Sequence, residues 1–409
     1  MSDDVERDAD VRGWLSSVEP PELRLTPAAT IRAGRTRARR RRLVVSGAAA
    51  IAVLAVAAVP AVASNLRQGG STPAPSEQPG ASASAAVACK ATPLAVPDGL
   101  ARKGALKNIV IATAIDPSGR YIVGRTHGSV NNSPAAVLWT DGKPAILATE
   151  GEDVVPTAVN SQGVVVGRGW MKAAPPMSGG FAWIYRDGKA RQLTMPSGYT
   201  QDFGSPTVNE AGAVLAIVYT PDRSHEAVVL WPAGATDQPQ VLSALSDKSI
   251  RGVGFGTDGK PVAWSRSAKG PVLWSADGQH RTLPLVGGKS GWVVNTIRGP
   301  WAVGTVLPES GKESQVPLRW ELRGGELTAL PAARLGNAVD VNPAGDVLVW
   351  NEILRADGRV VTLTVPAGRQ AATAGFSDAG TTVIGLIGPA EEATSPSEVV
   401  PEVPTVWHC

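Results

Sequence analysis

Residues 112–147 read ATAIDPSGRYIVGRTHGSVNNSPAAVLWTDGKPAIL, and residues 156–193 read PTAVNSQGVVVGRGWMKAAPPMSGGFAWIYRDGKARQL. The two stretches share one order of parts. An apolar run ends at Asp116 or Asn160, a turn reaches Gly119 or Gly163, and a second run closes on Gly124 or Gly167. A variable loop follows, then a third run carrying Trp139 or Trp183, an Asp-Gly turn, and a last run ending in Leu147 or Leu193. Runs rich in Val, Ile, Thr and Trp suit pleated, half-buried strands, and Gly, Asn and Asp supply the turns between them.

The unit recurs to the end of the chain. Residues 205–242 keep SPTVNEAG and VVLWPAG, residues 250–285 keep TDG and PVLWSADG, and residues 292–331 keep AVG, LRW and TALP. Residues 336–366 keep AVDVNPAG and VTLTVP without a Trp in the third run, and residues 372–409 keep FSDAG, VIG and Trp407. The first-turn glycines, Gly119 to Gly380, are spaced by about 43.5 residues. A four-stranded propeller blade needs roughly 40–45. The spacing predicts an all-β, seven-bladed β-propeller over residues 89–409, with six or eight blades as the neighbouring counts. Gly 45 and Pro 33 agree with a turn-rich fold and argue against a helical bundle.

The last unit ends at Trp407-His408-Cys409 and lacks a fourth strand. ATPLAVPDG, residues 91–99, resembles the fourth-strand segments RTLPLVGG, RQLTMPSG and VTLTVPAG. The N-terminal strand is therefore expected to complete the last blade and close the ring, which removes an exposed sheet edge. Cys89 then precedes that strand, and Cys409 follows its antiparallel neighbour. They are expected to form a disulfide, two free buried thiols being the other possibility.

Upstream, Leu43 to Ser64 form a charge-free run of 22 residues preceded by Arg39-Arg40-Arg41-Arg42. As a helix this run would be about 33 Å long, enough for the roughly 30 Å hydrocarbon layer. The arginines place the N-terminus in the cytoplasm. The expected order is an Arg-rich cytoplasmic arm (1–42), a transmembrane helix (43–64), a Gly/Ser/Pro/Ala spacer (65–88) and the propeller (89–409). Cleavage near Ala63, giving a secreted protein, stays open because Ala61-Val62-Ala63 has the small-x-small form of a signal-peptide site. The arm holds ten Arg against seven acids, and the remainder balances 29 against 29. A neutral ectodomain carries no electrostatic footprint for nucleic acid. The arm is a topology signal or a docking segment for a cytoplasmic partner.

The unit A-x-A-[IV]-[DN]-x-x-G-x-x-[VI]-G with a following W-x-[DN]-G resembles the HAF repeat of bacterial extracellular proteins. The match is good over residues 110–290 and weak over 291–409. Anchor, spacer and repeats together look like a membrane-anchored propeller protein of actinobacterial type. The resemblance implies a propeller-like ectodomain and brings no defined catalytic residues or settled activity.

Few residues offer chemistry. Asp116, Asn160, Asn209 and Asn342 stand three residues before a turn glycine, as a type I turn favours, and no D-x-D-x-D calcium run exists. Trp139, Trp183, Trp231, Trp274, Trp320 and Trp407 recur at one slot and read as core between blades. Trp264 and Trp350 fall where other units carry Gly124 or Gly385, and Trp170 lies in a long loop. These three are the candidate contacts for a partner or glycan, with local repacking as the plain reading. His127, His225 and His280 are scattered, and no phosphate loop or G-x-S-x-G occurs. No catalytic, metal or cofactor residue is assigned. The expectation is a non-enzymatic binding or scaffolding module for an extracellular protein or glycan. The alternatives are a polymer-acting enzyme, a lyase or a hydrolase, with its site in the central channel, and a transmembrane sensor.

Overall fold

The computed structural model describes residues 88–409 apart from 98–108, 128–133, 150, 171–179, 201–203, 247, 268, 286–291, 307–314, 325, 331–335 and 391–401. The expected arm, membrane helix and nearly all of the spacer lie outside these residues. Among the described residues, no helix is long and apolar enough to cross a membrane.

The fold is all-β and propeller-like. After β1 (Ala88–Pro93), strands follow in groups of four. The first repeat holds β2 (Ile109–Ile115), β3 (Tyr121–His127), β4 (Ala136–Thr140) and β5 (Lys143–Ile146). The second holds β6 (Glu152–Val159), β7 (Val165–Trp170), β8 (Gly180–Arg186) and β9 (Lys189–Gln192). The third holds β10 (Thr207–Val208), β11 (Val214–Tyr219), β12 (Glu226–Trp231) and β13 (Gln240–Val241). The fourth holds β14 (Ile250–Gly256), β15 (Pro261–Ser267), β16 (Gly270–Ser275) and β17 (His280–Thr282). The fifth holds β18 (Trp292–Gly299), β19 (Trp301–Val306), β20 (Val316–Glu321) and β21 (Leu327–Ala329). The sixth holds β22 (Ala338–Val341), β23 (Val347–Val349), β24 (Glu352–Leu354) and β25 (Val360–Leu363). The last holds β26 (Arg369–Phe376), β27 (Thr382–Pro389) and β28 (Val403–His408).

Within each group the strands pair antiparallel in chain order. The last group takes β1 as its fourth strand, with Ala91 opposite Trp407 and Thr92 opposite Val406. Cys89 and Cys409 are joined in a disulfide, their Cα atoms 4.1 Å apart. One backbone bond repeats through every group. Leu147, Leu193, Leu242, Leu283, Leu330 and Leu363 donate their N–H groups to Ala136, Ala182, Val228, Pro271, Pro317 and Asn351 at 2.7–3.1 Å. In the last group the donor is Leu94 and the acceptor is Pro404, at 2.8 Å. The segment that begins the domain thus fills the same place as the leucine that ends every other repeat.

The core lies between successive groups. Val123 and Leu138 of the first pack with Val165 and Trp183 of the second, and Ile384 and Val406 of the last pack with Val110 and Trp139 of the first. A bulge kinks the first strand of most repeats, for example between Ala112 and Ala114 and between Val294 and Thr296. The glycine beside it is required by space. A Cβ on Gly124 would meet the Ile111 carbonyl oxygen and the Trp139 ring, and one on Gly304 would meet the Val293 carbonyl and the Trp320 ring.

The tryptophan slot needs two corrections: Trp274, expected in the core, is partly exposed, and Trp183 is out of register. The leucine bond aligns Tyr185, not Trp183, with Trp139, because Leu193 bonds to Ala182 as Leu147 bonds to Ala136. Trp183 stands two residues earlier and donates to the Arg168 carbonyl of its own repeat at 3.1 Å.

Candidate functional site in the central channel

The first strands of the repeats line the centre, and the turns that follow them crowd one mouth. These turns are self-contained. The Asn160 Oδ1 accepts from the N–H groups of Gln162 and Val164 at 3.1 and 3.0 Å, and the Asn342 Oδ1 from Asp346 N–H at 2.9 Å. The amide nitrogens then reach the next repeat: Asn160 donates to Asn209 O at 3.0 Å, Asn209 to Gly259 O at 3.4 Å, and Asn342 to Asp378 O at 2.9 Å. Asn therefore does what Asp cannot, since its side chain both accepts and donates. Deeper in, Thr113 donates to Pro156 O at 2.8 Å and Thr296 to Val339 O at 2.9 Å. These bonds fix neighbouring first strands side by side and make the channel wall rigid.

Within this frame lies a cavity of about 640 Å³ lined by residues of every repeat, from Thr113 to Asp378. Arg298 is the one basic residue among its described lining residues. It stands at the end of β18, where Gly299 (φ 57) and Pro300 turn the chain so that Arg298 pairs with Trp301. Arg298 Nη1 donates to Asp340 Oδ2 at 3.3 Å and to the Phe376 carbonyl at 2.9 Å. Its Nη2 donates to Asp378 Oδ1. Three repeats thus meet on one guanidinium.

The two carboxyls differ in setting. Asp340 is buried, and its carboxylate also accepts from the N–H groups of Val341 and Phe376 at 2.8 and 3.2 Å. Burial pushes its pKa above the usual carboxylate range, outweighing the opposing pull of Arg298 and these two N–H groups. Asp378 is half-buried and is also raised, by burial first, against the pull of Arg298 and with a further push from the charge of Asp116. A carboxyl with a raised pKa holds its proton closer to neutral pH, which suits proton transfer. No linear motif marks this trio, because its members sit 38–42 residues apart in separate repeats. Asp340 and Asp378 lie within two residues of the turn positions Asn342 and Ser377, and nothing else in the sequence sets them apart.

The aromatic candidates do not meet there. Gly124 pairs with Val137, Ser265 with Val272 and Val349 with Glu352, so the glycine position falls on Ser265 and Val349. Trp264 lies one residue before it and Trp350 one residue after. Trp264 is consequently turned into the core against Trp292, with ring centroids 6.0 Å apart and 8% of the residue exposed. It is corrected from a contact residue to a packing residue. Trp350 sits in the turn after β23 at φ 51 and is 45% exposed. Trp170 is half-buried at the end of β7, with the Arg168 guanidinium 5.4 Å from its ring centroid. Trp170 and Trp350 belong to the second and sixth repeats. His225 and His280 are exposed, and the His127 side chain lies outside the described residues. Among the described residues no group of three His, Cys, Asp or Glu is placed to hold a metal ion.

No protein-family model matches the sequence, and no characterised protein matches it by sequence. Solved structures do match in fold. An oligogalacturonate lyase from Vibrio parahaemolyticus superposes with a TM-score of 0.50 at 9% identity, covering 79% of this chain and 97% of that one. An acylaminoacyl peptidase gives 0.50 at 11% identity, covering 73% of this chain and 51% of that one, so the likeness spans about half of the peptidase. The β-propeller domain of the Trilobed protease from Pyrococcus furiosus gives 0.47 at 11% identity, covering 69% and 92%. At such identities the likeness is one of fold.

The expectation of a non-enzymatic module is overturned at this point. It rested on the lack of a linear catalytic motif. Enzymes share this fold, and a converging Arg and two carboxyls in the channel is an arrangement that no linear motif would display.

Proposed function

We propose that the chain is an enzyme that cleaves an anionic polymer by acid–base chemistry in the central channel of a seven-bladed propeller. The observation that carries this reading is Arg298 held between Asp340 and Asp378 in the channel cavity. The lyase among the fold neighbours, named for oligogalacturonate, suggests the substrate class. In an eliminative cleavage one carboxylate removes the proton beside the uronate carboxyl group. The electron pair forms the new double bond, the glycosidic C–O bond breaks, and a protonated carboxyl returns a proton to the leaving oxygen. Arg298 offsets the negative charge that develops on the substrate. No water or cofactor is consumed.

The count of seven blades is supported by the grouping of twenty-eight strands in fours. The proposal places this domain outside the cell, held by the apolar run 43–64 with the Arg-rich arm inside. The HAF-like repeats and the Cys89–Cys409 disulfide, a bond of oxidising compartments, support that setting. The test is incubation of the purified full-length chain with polygalacturonate and other acidic polysaccharides, followed by ultraviolet absorbance of unsaturated chain ends. The expected result is product from at least one acidic polymer, lost in Asp340→Asn and Asp378→Asn variants that keep the β-sheet circular dichroism of the parent. Absence of any cleavage across acidic polymers would sink the reading.

A further inference from the structure

The two edges of the Arg298 guanidinium are held in different ways. The Nη1 edge is committed. Its partners are the Phe376 carbonyl and Asp340, whose side chain is 12% exposed and is itself fixed by two backbone N–H groups. The Nη2 edge faces Asp378, whose side chain is 40% exposed to the cavity. The backbone of Asp378 is pinned, its N–H to Pro117 O at 2.8 Å and its carbonyl by the Asn342 amide at 2.9 Å. Among the described residues, Arg298 is the ion-pair partner of that carboxylate. The arginine's own backbone is locked between Phe255 in the parallel strand and Trp301 across the hairpin. A fixed cationic edge is thus covered by a carboxylate that can rotate into solvent without moving the chain.

We propose that Arg298 is the carboxylate receptor of the channel and that the substrate's carboxylate takes the Nη2 edge in exchange for Asp378. The displaced Asp378 takes up a proton and then stands beside the bound group as a proton donor. The inference rests on the proposed acid–base reading and adds to it the recognised group and the exchange.

Charge supports an exchange rather than simple addition. Glu210, Asp258, Asp340 and Asp378 line the same cavity, and Asp116 stands near Asp378. Asp258 is paired with Lys260 at 3.1 Å, and Glu210 accepts from Ser161 N–H at 3.3 Å. A further anion enters such a cavity with least cost when the carboxylate it displaces takes up a proton. Burial raises the pKa of Asp378 and so makes that uptake easier than for an ordinary carboxylate. Binding of the anion is then linked to proton uptake, and affinity rises as pH falls.

The experiment is isothermal titration of the full chain with trigalacturonate and with neutral cellotriose, at two pH values and in two buffers of different ionisation enthalpy. The acidic trisaccharide is expected to bind with proton uptake, and the neutral one not to bind. Asp378→Asn removes the competing charge. It is expected to bind trigalacturonate roughly tenfold tighter, with the proton uptake gone, as one charge-assisted bond warrants. This gain is one that misfolding cannot produce. Arg298→Gln is expected to lose binding. Equal binding of the neutral sugar, or unchanged or weaker affinity in Asp378→Asn, would overturn the proposal. Binding with that gain but without any cleavage would sink the catalytic reading and leave this one standing. Cleavage with unaltered Asp378→Asn affinity would do the reverse.

Discussion

The indole N–H of Trp139 donates to the carbonyl oxygen of Ala95 at 2.7 Å. The bond joins the third strand of the first repeat to the segment that completes the last one. Its counterparts are Trp231 to Thr194 at 2.8 Å, Trp320 to Pro284 at 2.9 Å and Trp407 to Thr364 at 2.8 Å. In each case the acceptor follows the leucine that ends the preceding repeat. The junction between the first and last repeats is therefore built like the junctions inside the chain, and the N-terminal segment is a structural member of the last repeat.

That membership sets a mutational contrast. Leu94 is 5% exposed and packs with Val110, Trp139 and Val406, whereas Val96, two residues on, is 45% exposed. Leu94→Ala is expected to cost about 2–5 kcal/mol, and Val96→Ala about 0.5 kcal/mol or less. Urea unfolding monitored by circular dichroism checks both. Equal effects would mean that the segment following β1 is only loosely attached.

The disulfide acts on the same junction. It spans 320 residues, so it restricts a very large loop of the unfolded chain. Cys89→Ser is expected to lower stability by about 3–5 kcal/mol. The check is to compare the parent and the variant with and without reductant. The difference between them should vanish once the parent is fully reduced under denaturing conditions and refolded in reductant.

How much of this was legible in the sequence follows from what repeats. The Gly–Trp–Leu spacing reports a packing unit used many times, so strands, turns and the closing segment 91–99 could be read from it. The register within a unit was less legible. Turn lengths differ, with Asp116 bonded to Tyr121 but Asn160 to Val164, and a one-residue change moves a side chain to the other face of the sheet. That is why Trp264 and Trp350 fall on either side of the glycine position, Trp264 going to the core. The channel trio was not legible because each member is a single departure within its own repeat. Convergence of three departures is a property of the closed ring and not of any segment.

Glycine positions give a local test of the register. Gly304→Ala is expected to cost about 1–3 kcal/mol, because its Cβ would press on the Val293 carbonyl and the Trp320 ring. Ser265 already occupies the matching position in the fourth repeat, where the Trp274 indole donates to its hydroxyl at 2.8 Å and the ring is half-exposed. Ser265→Gly removes that bond and the side chain beneath the ring. Trp274 is expected to lose its exposure, read as reduced quenching by acrylamide relative to a Trp274→Phe background. Unchanged quenching would show that Lys248 and His280, which flank the ring, hold it outward instead.

The buried carboxyl makes a prediction about pH whose sign is fixed by its setting. In the unfolded chain Asp340 titrates near 3.8, and in the folded protein burial raises that value. Between the two the native state binds more proton than the unfolded state. The stability that Asp340 contributes is therefore greatest at low pH and declines as pH rises through the folded value. Asp340→Asn carries no such dependence. The stability of the parent relative to this variant should thus fall as pH rises above about 4, measured as urea midpoints at matched ionic strength. A relative stability that rises with pH instead would mean that the Arg298 charge outweighs burial. Asp340 would then be a permanent anion, and the proton for the leaving oxygen would have to come from Asp378.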